Sequence, residues 1–188
     1  MTLIQTIISA REFAIQAHGT QQYGDLPYAV HLDEVADLVM YEYHTCLSKI
    51  GNAQMIFGTL EDAVATAYIH DILEDTEVSQ DAVEAKLGAT VAACANLLAD
   101  PPGKSRKERK AALYDRLGKL QASLVVDQIV LVVKTCDRMA NVLQSSVNYP
   151  HLFKMYRQEA ATFRAAVWRP GLCEWSWQRL DYLLQAEG

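Results

Sequence analysis

At 188 residues, 51% of them hydrophobic, the chain is long enough to bury its own core without disulfides or a structural metal, and its length fits a single domain spanning 1–188. Its 17 Lys and Arg against 23 Asp and Glu leave a formal charge of −6. That balance excludes a general binder of nucleic-acid polymers, whose affinity comes from clustered cations. No segment approaches the roughly 18 uninterrupted apolar residues of a membrane span, and Met1 to Ile8 lack the basic lead-in of a secretion signal. No membrane partner and a cytoplasmic location are therefore expected. Cys46, Cys94, Cys136 and Cys173 are widely spaced, form no Cys-x-x-Cys pair, and read as reduced, mostly buried thiols.

Helical spacing runs from end to end, with no sustained apolar/polar alternation, so the expected class is all-α. A first helix covers Leu3 to about His18, with Ile4, Ile7, Ile8, Phe13 and Ala14 as apolar contacts. Gly19 to Pro27 breaks the pattern with turn chemistry at Gly24-Asp25-Leu26-Pro27. A second helix starts near His31 and continues through Val35, Leu38, Val39 and Leu47. Thr59-Leu60-Glu61-Asp62 resembles a capping box opening the helix that carries Tyr68 to Thr76.

Ser79 can cap a short helix ending at Leu87-Gly88, where glycine suits a left-handed stop. Ala89 to Leu98 is a tightly packed helix ended by Pro101-Pro102-Gly103. Lys104 to Lys110 is the one strong basic block, either the solvated start of a helix reaching about Leu120 or a clamp for substrate phosphates. Asp127 to Leu143 is strongly apolar before it delivers Lys134, Asp137, Arg138 and Asn141. Helices near Tyr149 to Val167 and Cys173 to Gln185 complete the bundle, with Trp168, Trp175 and Trp177 as packing residues.

Within Tyr68 to Thr76, four groups able to bind metal or move protons interrupt an apolar pattern. On a continuous helix His70 and Glu74 are four apart, as are Asp71 and Asp75, so the side chains share one strip. By itself the strip fits a metal site or a charged helix face equally. Two separated residues shift the balance toward metal: His31 follows a Pro-containing turn, and Asp137 sits in an apolar helix where a lone carboxylate would be costly to bury. Two imidazoles and two carboxylates suit manganese, iron, zinc or another divalent ion. His18, His44 and His151 lack partners that would make them ligands.

These residues resemble the HD-domain metal-dependent phosphohydrolases, and within them the RelA/SpoT-like hydrolase domains and small alarmone hydrolases. The resemblance rests on Ala17-His18-Gly19 with Leu26-Pro27-Tyr28-Ala29-Val30-His31, on Ala67 to Thr76, and on Val133 to Asn141, and it covers most of the chain. It implies a helical bundle of the HD-domain type. His31, His70, Asp71 and Asp137 carry over as metal ligands, with manganese the typical ion. Glu74 and Asp75 match a pair placed beside the attacking water, Glu74 orienting it and moving its proton with Asp75 in support. Asn141 matches a polar residue near the substrate sugar or phosphate.

The implied substrates are guanosine tetra- and pentaphosphate, (p)ppGpp, from which pyrophosphate leaves the 3′ position. Lys134, Arg138 and the basic block, with Lys104 and Lys107 foremost, would neutralise a polyphosphate; Arg138 is equally read as structural. Lys154, Tyr156 and Arg157 start the penultimate helix where the family places further phosphate and ribose contacts, although Tyr156 also fits core packing. One departure stands out. Where RelA/SpoT-like domains carry an Arg-Lys pair, this loop reads Gln21-Gln22-Tyr23-Gly24, leaving Tyr23 to stack on a base. The residues thus support the reaction class better than the substrate. Two other readings stay open: a phosphohydrolase acting on a nucleoside monophosphate or other phosphomonoester, and a non-catalytic nucleotide-sensing module. The oligomeric state is open, a homo-oligomer included.

Overall fold

The helical periodicity closes into an all-α bundle, seen in a computed structural model that describes residues 3–49 and 59–185. Its elements are α1 (Leu3–His18), β1 (Gln22–Tyr23), β2 (Leu26–Pro27), α2 (Tyr28–Lys49), α3 (Leu60–Ile69), α4 (Ile72–Asp75), α5 (Gln80–Leu87), α6 (Ala89–Leu98), α7 (Arg106–Gly118), α8 (Val125–Asn148), α9 (Pro150–Val167) and α10 (Glu174–Gln185). No helix among the described residues is long and apolar enough to cross a membrane.

The axis is α8, packed on by α2, α3, α6, α9 and α10. Being surrounded explains its sequence: Ile129, Val130, Leu131, Val132 and Val133 are consecutive and all buried. Each contributes about 1.5–3 kcal/mol of burial, enough together to carry the charged Lys134, Asp137 and Arg138 into the same interior. The second layer is α3, whose small residues Ala63, Ala65 and Ala67 let α1 and α2 pack closely.

The helix starts follow from local capping. Thr59 Oγ1 accepts from Asp62 N–H at 3.1 Å, and Ser79 Oγ from Ala82 N–H at 3.2 Å. The basic block carries a further cap. Ser105 Oγ accepts from Glu108 N–H at 3.2 Å, while the Glu108 carboxylate accepts from Lys104 N–H at 2.9 Å. This pair sets where α7 begins, and hence which cations share a face.

Four expectations are corrected. The Tyr68 to Thr76 helix is not continuous: α3 ends at Ile69, Asp71 turns at φ −103° and ψ 0°, and α4 restarts at Ile72. A regular helix would splay adjacent side chains about 100° apart, and only a break lets His70 and Asp71 aim at one point. Ile4 and Ile8 are exposed, because α1 faces the core through Ala10 and Ala14, with Ile7 and Phe13 at the edge. Trp168 is exposed too, whereas Trp177 is buried. Finally, α2 starts at Tyr28, one turn ahead of His31. Cys94, Cys136 and Cys173 are buried free thiols; the side chains of Cys46 and Leu47 lie outside the described residues.

The loop before α2 forms a short antiparallel ribbon pairing Gln22 with Pro27 and Tyr23 with Leu26. Gly24 turns it with φ +63°, and a Cβ there would overlap the Tyr149 hydroxyl and lie 2.8 Å from its Cζ. Gly24→Ala is therefore expected to destabilise the protein by about 1–3 kcal/mol, through strain and lost contact with Tyr149. Urea unfolding measures this directly.

Candidate metal centre and active site

Three parts of the chain deliver four side chains to one point. His31 comes from the first turn of α2, His70 and Asp71 from the break between α3 and α4, and Asp137 from the middle of α8. His31 Nε2 lies 3.2 Å from His70 Nε2, 3.5 Å from Asp137 Oδ1 and 3.9 Å from Asp71 Oδ2. His70 Nε2 lies 2.9 Å from Asp71 Oδ2 and 3.7 Å from Asp137 Oδ1. The ligand atoms of His31, His70 and Asp137 all fall within 4.8 Å of one another, a group that could hold a metal ion. Asp71 Oδ2 stands beside both imidazoles.

The direction of the donors and acceptors in this group suits a cation. His70 Nδ1 donates to the Ala67 carbonyl at 2.8 Å, which turns Nε2, as a bare lone pair in the neutral ring, toward the cluster. It meets two carboxylate oxygens that only accept. His31 Nδ1 is buried with no partner among the described residues, so no hydrogen bond there fixes its tautomer. Acceptors converging in a buried space need a positive centre. A proton on His70 can serve: burial works against it, but Asp71 and Asp137 hold the imidazolium up to about 10. Burial, and then the charge of His70, push His31 down to about 4. Against the cost of burial, His70 holds Asp71 ionised and Lys134, with His70, holds Asp137 ionised, both well below the usual carboxylate range. A divalent ion fits the same donors, two nitrogens and two oxygens.

Beside this centre opens a cleft of about 150 Å³, lined by Asp71, Glu74, Asp75, Asp137, Asn141, Tyr114, Tyr156 and the cations Arg106, Lys110, Lys134 and Arg138. Lys134 Nζ is buried and donates to Asp137 Oδ2 at 2.8 Å. Arg138 donates to the Tyr114 hydroxyl at 2.7 Å and to Glu159 at 3.1 Å, with its guanidinium over the Tyr156 ring at 4.6 Å. It is thus braced from several sides and still lines the cleft. The cations at the α7 rim are also paired, Arg106 with Glu159 and Lys110 with Asp100 at 2.8 Å.

The basic block contributes Arg106 and Lys110, four residues apart on one face of α7, and not Lys104 or Lys107, which are exposed and absent from the lining. Lys154 is also elsewhere, on a groove with Pro150, Phe153 and Arg157. Glu74 and Asp75 stand on the cleft wall. Glu74 is exposed overall but accepts from Asp100 N–H at 3.3 Å, and partial desolvation against the cleft wall raises its carboxyl, with Lys110 opposing and Asp100 and Asp71 adding. Asn141 donates to the Asp137 carbonyl at 3.0 Å and to Oδ1 at 2.5 Å. Tyr23 lies with its ring centroid 4.5 Å from that of His31 and its hydroxyl 3.3 Å from Asn141 Oδ1. The side of the site where the family resemblance implied two cations is thus walled by an aromatic ring.

Tyr28 is a further residue of the site. Its hydroxyl donates a short hydrogen bond to Asp71 Oδ2, and burial, followed by the Asp71 charge, keeps the phenol protonated far above its ordinary range. The signal was present in Tyr28-x-x-His31, a spacing that puts both rings on one face of α2. Tyr28→Phe is expected to weaken divalent-metal binding about 10- to 100-fold, as loss of a supporting hydrogen bond does. Calorimetric titration of the metal-free protein reads this out.

No protein-family model matches the chain, and no curated protein matches it. Among solved structures it is similar to a metazoan orthologue of SpoT, described as hydrolysing ppGpp and playing a role in starvation responses. That similarity has a TM-score of 0.73 at 20% identity and covers 94% of each chain. At this identity the likeness is one of fold: the chain shares the helical architecture of that SpoT orthologue along nearly its whole length.

Proposed function

We propose that the protein is a metal-dependent phosphohydrolase of the small alarmone hydrolase type, releasing pyrophosphate from the 3′ position of (p)ppGpp or a related 3′-phosphorylated nucleotide. The observation that carries this reading is the meeting of His31, His70 and Asp137, with Asp71 Oδ2 beside both imidazoles, at the end of a cleft walled by Arg106, Lys110, Lys134 and Arg138. The four ligands would hold a divalent ion, manganese being the family's usual choice. Such an ion supplies Lewis acidity, easing ionisation of water and polarising a phosphoryl oxygen.

The remaining chemistry belongs to the protein. Glu74, with its raised carboxyl, is suited to orient water and accept its proton, then return one to the leaving 3′ oxygen. Asp75 supports it from the next position. Lys110 and Arg106 exchange their pairings with Asp100 and Glu159 for substrate phosphates, so part of the binding energy goes to breaking existing ion pairs. The likeness to a ppGpp-hydrolysing protein supports the alarmone class.

A second reading keeps the same centre and changes the substrate to a nucleoside monophosphate or another phosphomonoester. Tyr23 favours it, because its ring lies against His31 where a highly charged nucleotide would want cations. Incubation of a nucleotide panel with manganese, followed by product analysis, separates the two. Pyrophosphate from 3′-pyrophosphorylated guanosine supports the first reading, and orthophosphate from monophosphates the second. Tight nucleotide binding without turnover in any divalent metal would instead indicate a sensing module.

A further inference from the structure

We propose that Gln21 is a positioning residue that holds the Asp75 carboxylate in its working orientation, and that His18 sets the direction of the Gln21 amide. The proposal rests on the hydrolase reading above, in which Asp75 supports Glu74. Gln21 Nε2 donates to Asp75 Oδ2 at 2.8 Å, and Gln21 Oε1 lies 2.8 Å from His18 Nδ1. A carboxylate only accepts, so the amide nitrogen must face Asp75. The amide oxygen then faces His18, and His18 must carry its proton on Nδ1. The donor direction therefore runs one way, from the imidazole through the amide to the carboxylate.

The surroundings keep this chain in place. His18 is buried, its ring centroid 4.5 Å from that of Tyr28, and its Nε2 has no partner among the described residues, so its one hydrogen bond is spent on Gln21. The backbone repeats the connection: Gln21 N–H donates to the His18 carbonyl at 3.0 Å, and Tyr28 N–H to the Gln21 carbonyl at 3.0 Å. Asp75, by contrast, is exposed at the end of a four-residue helix. Without Gln21 its carboxylate would rotate freely, and a group that supports a base within hydrogen-bond reach of water must be held in place to be effective. Gln22 and Asp25 on the same ribbon are exposed. The side chain tied inward is the one that reaches Asp75.

Gln21→Glu keeps the shape, replaces the donor with an acceptor and places a like charge beside Asp75. With the full chain, manganese and 3′-pyrophosphorylated guanosine nucleotide, kcat should fall about 10- to 100-fold, the scale of a lost hydrogen bond to a charged group. KM should change less than kcat, manganese affinity should be retained, and any drop in melting temperature should leave the variant folded at the assay temperature. His18→Phe should lower kcat in the same direction, and His18→Asn should restore much of it, since its amide nitrogen stands near the position of Nδ1. In an Asp75→Asn background Gln21→Glu should cost nothing further. Unchanged kcat, an equal loss on top of Asp75→Asn, or a loss confined to KM or melting temperature would overturn the proposal. If the wild-type chain turns over no nucleotide, the hydrolase reading fails by itself, and side-chain NMR decides the relay. Gln21 amide resonances that move to the free-amide position in Asp75→Ala support it, and resonances unaffected by that change overturn it.

Discussion

His70→Ala is expected to lose metal and turnover together. In the proposed metal site the imidazole would be one of two nitrogen donors, and its tautomer is set by the Ala67 carbonyl so that Nε2 faces Asp71, Asp137 and His31. Removing a ligand should weaken metal binding by more than the roughly 10- to 100-fold cost of removing a supporting group, and turnover should fall to background. The metal-free protein should also be less stable, by on the order of 3 kcal/mol, because the buried Asp137 and the part-buried Asp71 lose the cation between them. Urea unfolding with chelator present measures the second effect, and calorimetric titration the first.

The same residue imposes a pH dependence on the metal-free protein. The folded state raises His70 from its ordinary 6.5 to about 10. A raised pKa means that the folded state binds the proton more tightly, so this stabilisation is complete below about pH 6.5 and is lost as pH rises toward 10. Melting temperature without metal should therefore decline over that interval. With manganese bound the decline should be smaller, since the ion replaces the proton and its binding releases one. A metal-free melting temperature that rises from pH 7 to 10 would contradict the assignment of His70 as the site's proton holder.

Glu74→Gln should have the opposite signature, with metal retained and rate lost. Its carboxyl is outside the ligand group, on the cleft wall, held by the Asp100 backbone N–H. Loss of a general base lowers kcat about 100- to 10,000-fold, while manganese affinity should match that of the wild type. Because partial desolvation at the cleft wall raises the carboxyl of Glu74, although the residue as a whole is exposed, the acid limb of the rate profile should be shifted upward and disappear in the variant. An unchanged acid limb would move the base role to another group.

How much of this could be read in the residues depends on what kind of information each feature requires. The all-α architecture was legible because periodicity repeats over long segments such as α8. His31, His70, Asp71 and Asp137 were legible as candidates because polar groups in apolar surroundings demand an explanation. The break at His70 was not, since apolar spacing continues through Ala67, Ile69, Ile72 and Leu73 and hides a change of direction lasting two residues. The ribbon at Gln22–Tyr23 is too short to show a period. In the basic block, charge was legible but helical phase was not: the Ser105 cap starts α7 so that Arg106 and Lys110 face the cleft. Arg138 resisted division because it is both braced by Glu159 and Tyr114 and part of the cleft wall. The partners Tyr28 and Gln21 were missed for a simpler reason: a hydrogen bond between residues 43 or 54 positions apart leaves no local pattern.

The most direct measurement is a manganese titration of the metal-free protein while pyrophosphate release from ppGpp is followed. Rate should rise and saturate as a single tight site fills, fall to background in His70→Ala, and collapse in Glu74→Gln at full metal occupancy. Turnover that persists in chelator, or no divalent-dependent release of pyrophosphate or phosphate from any nucleotide tested, would refute a metal-dependent phosphohydrolase built on His31, His70, Asp71 and Asp137.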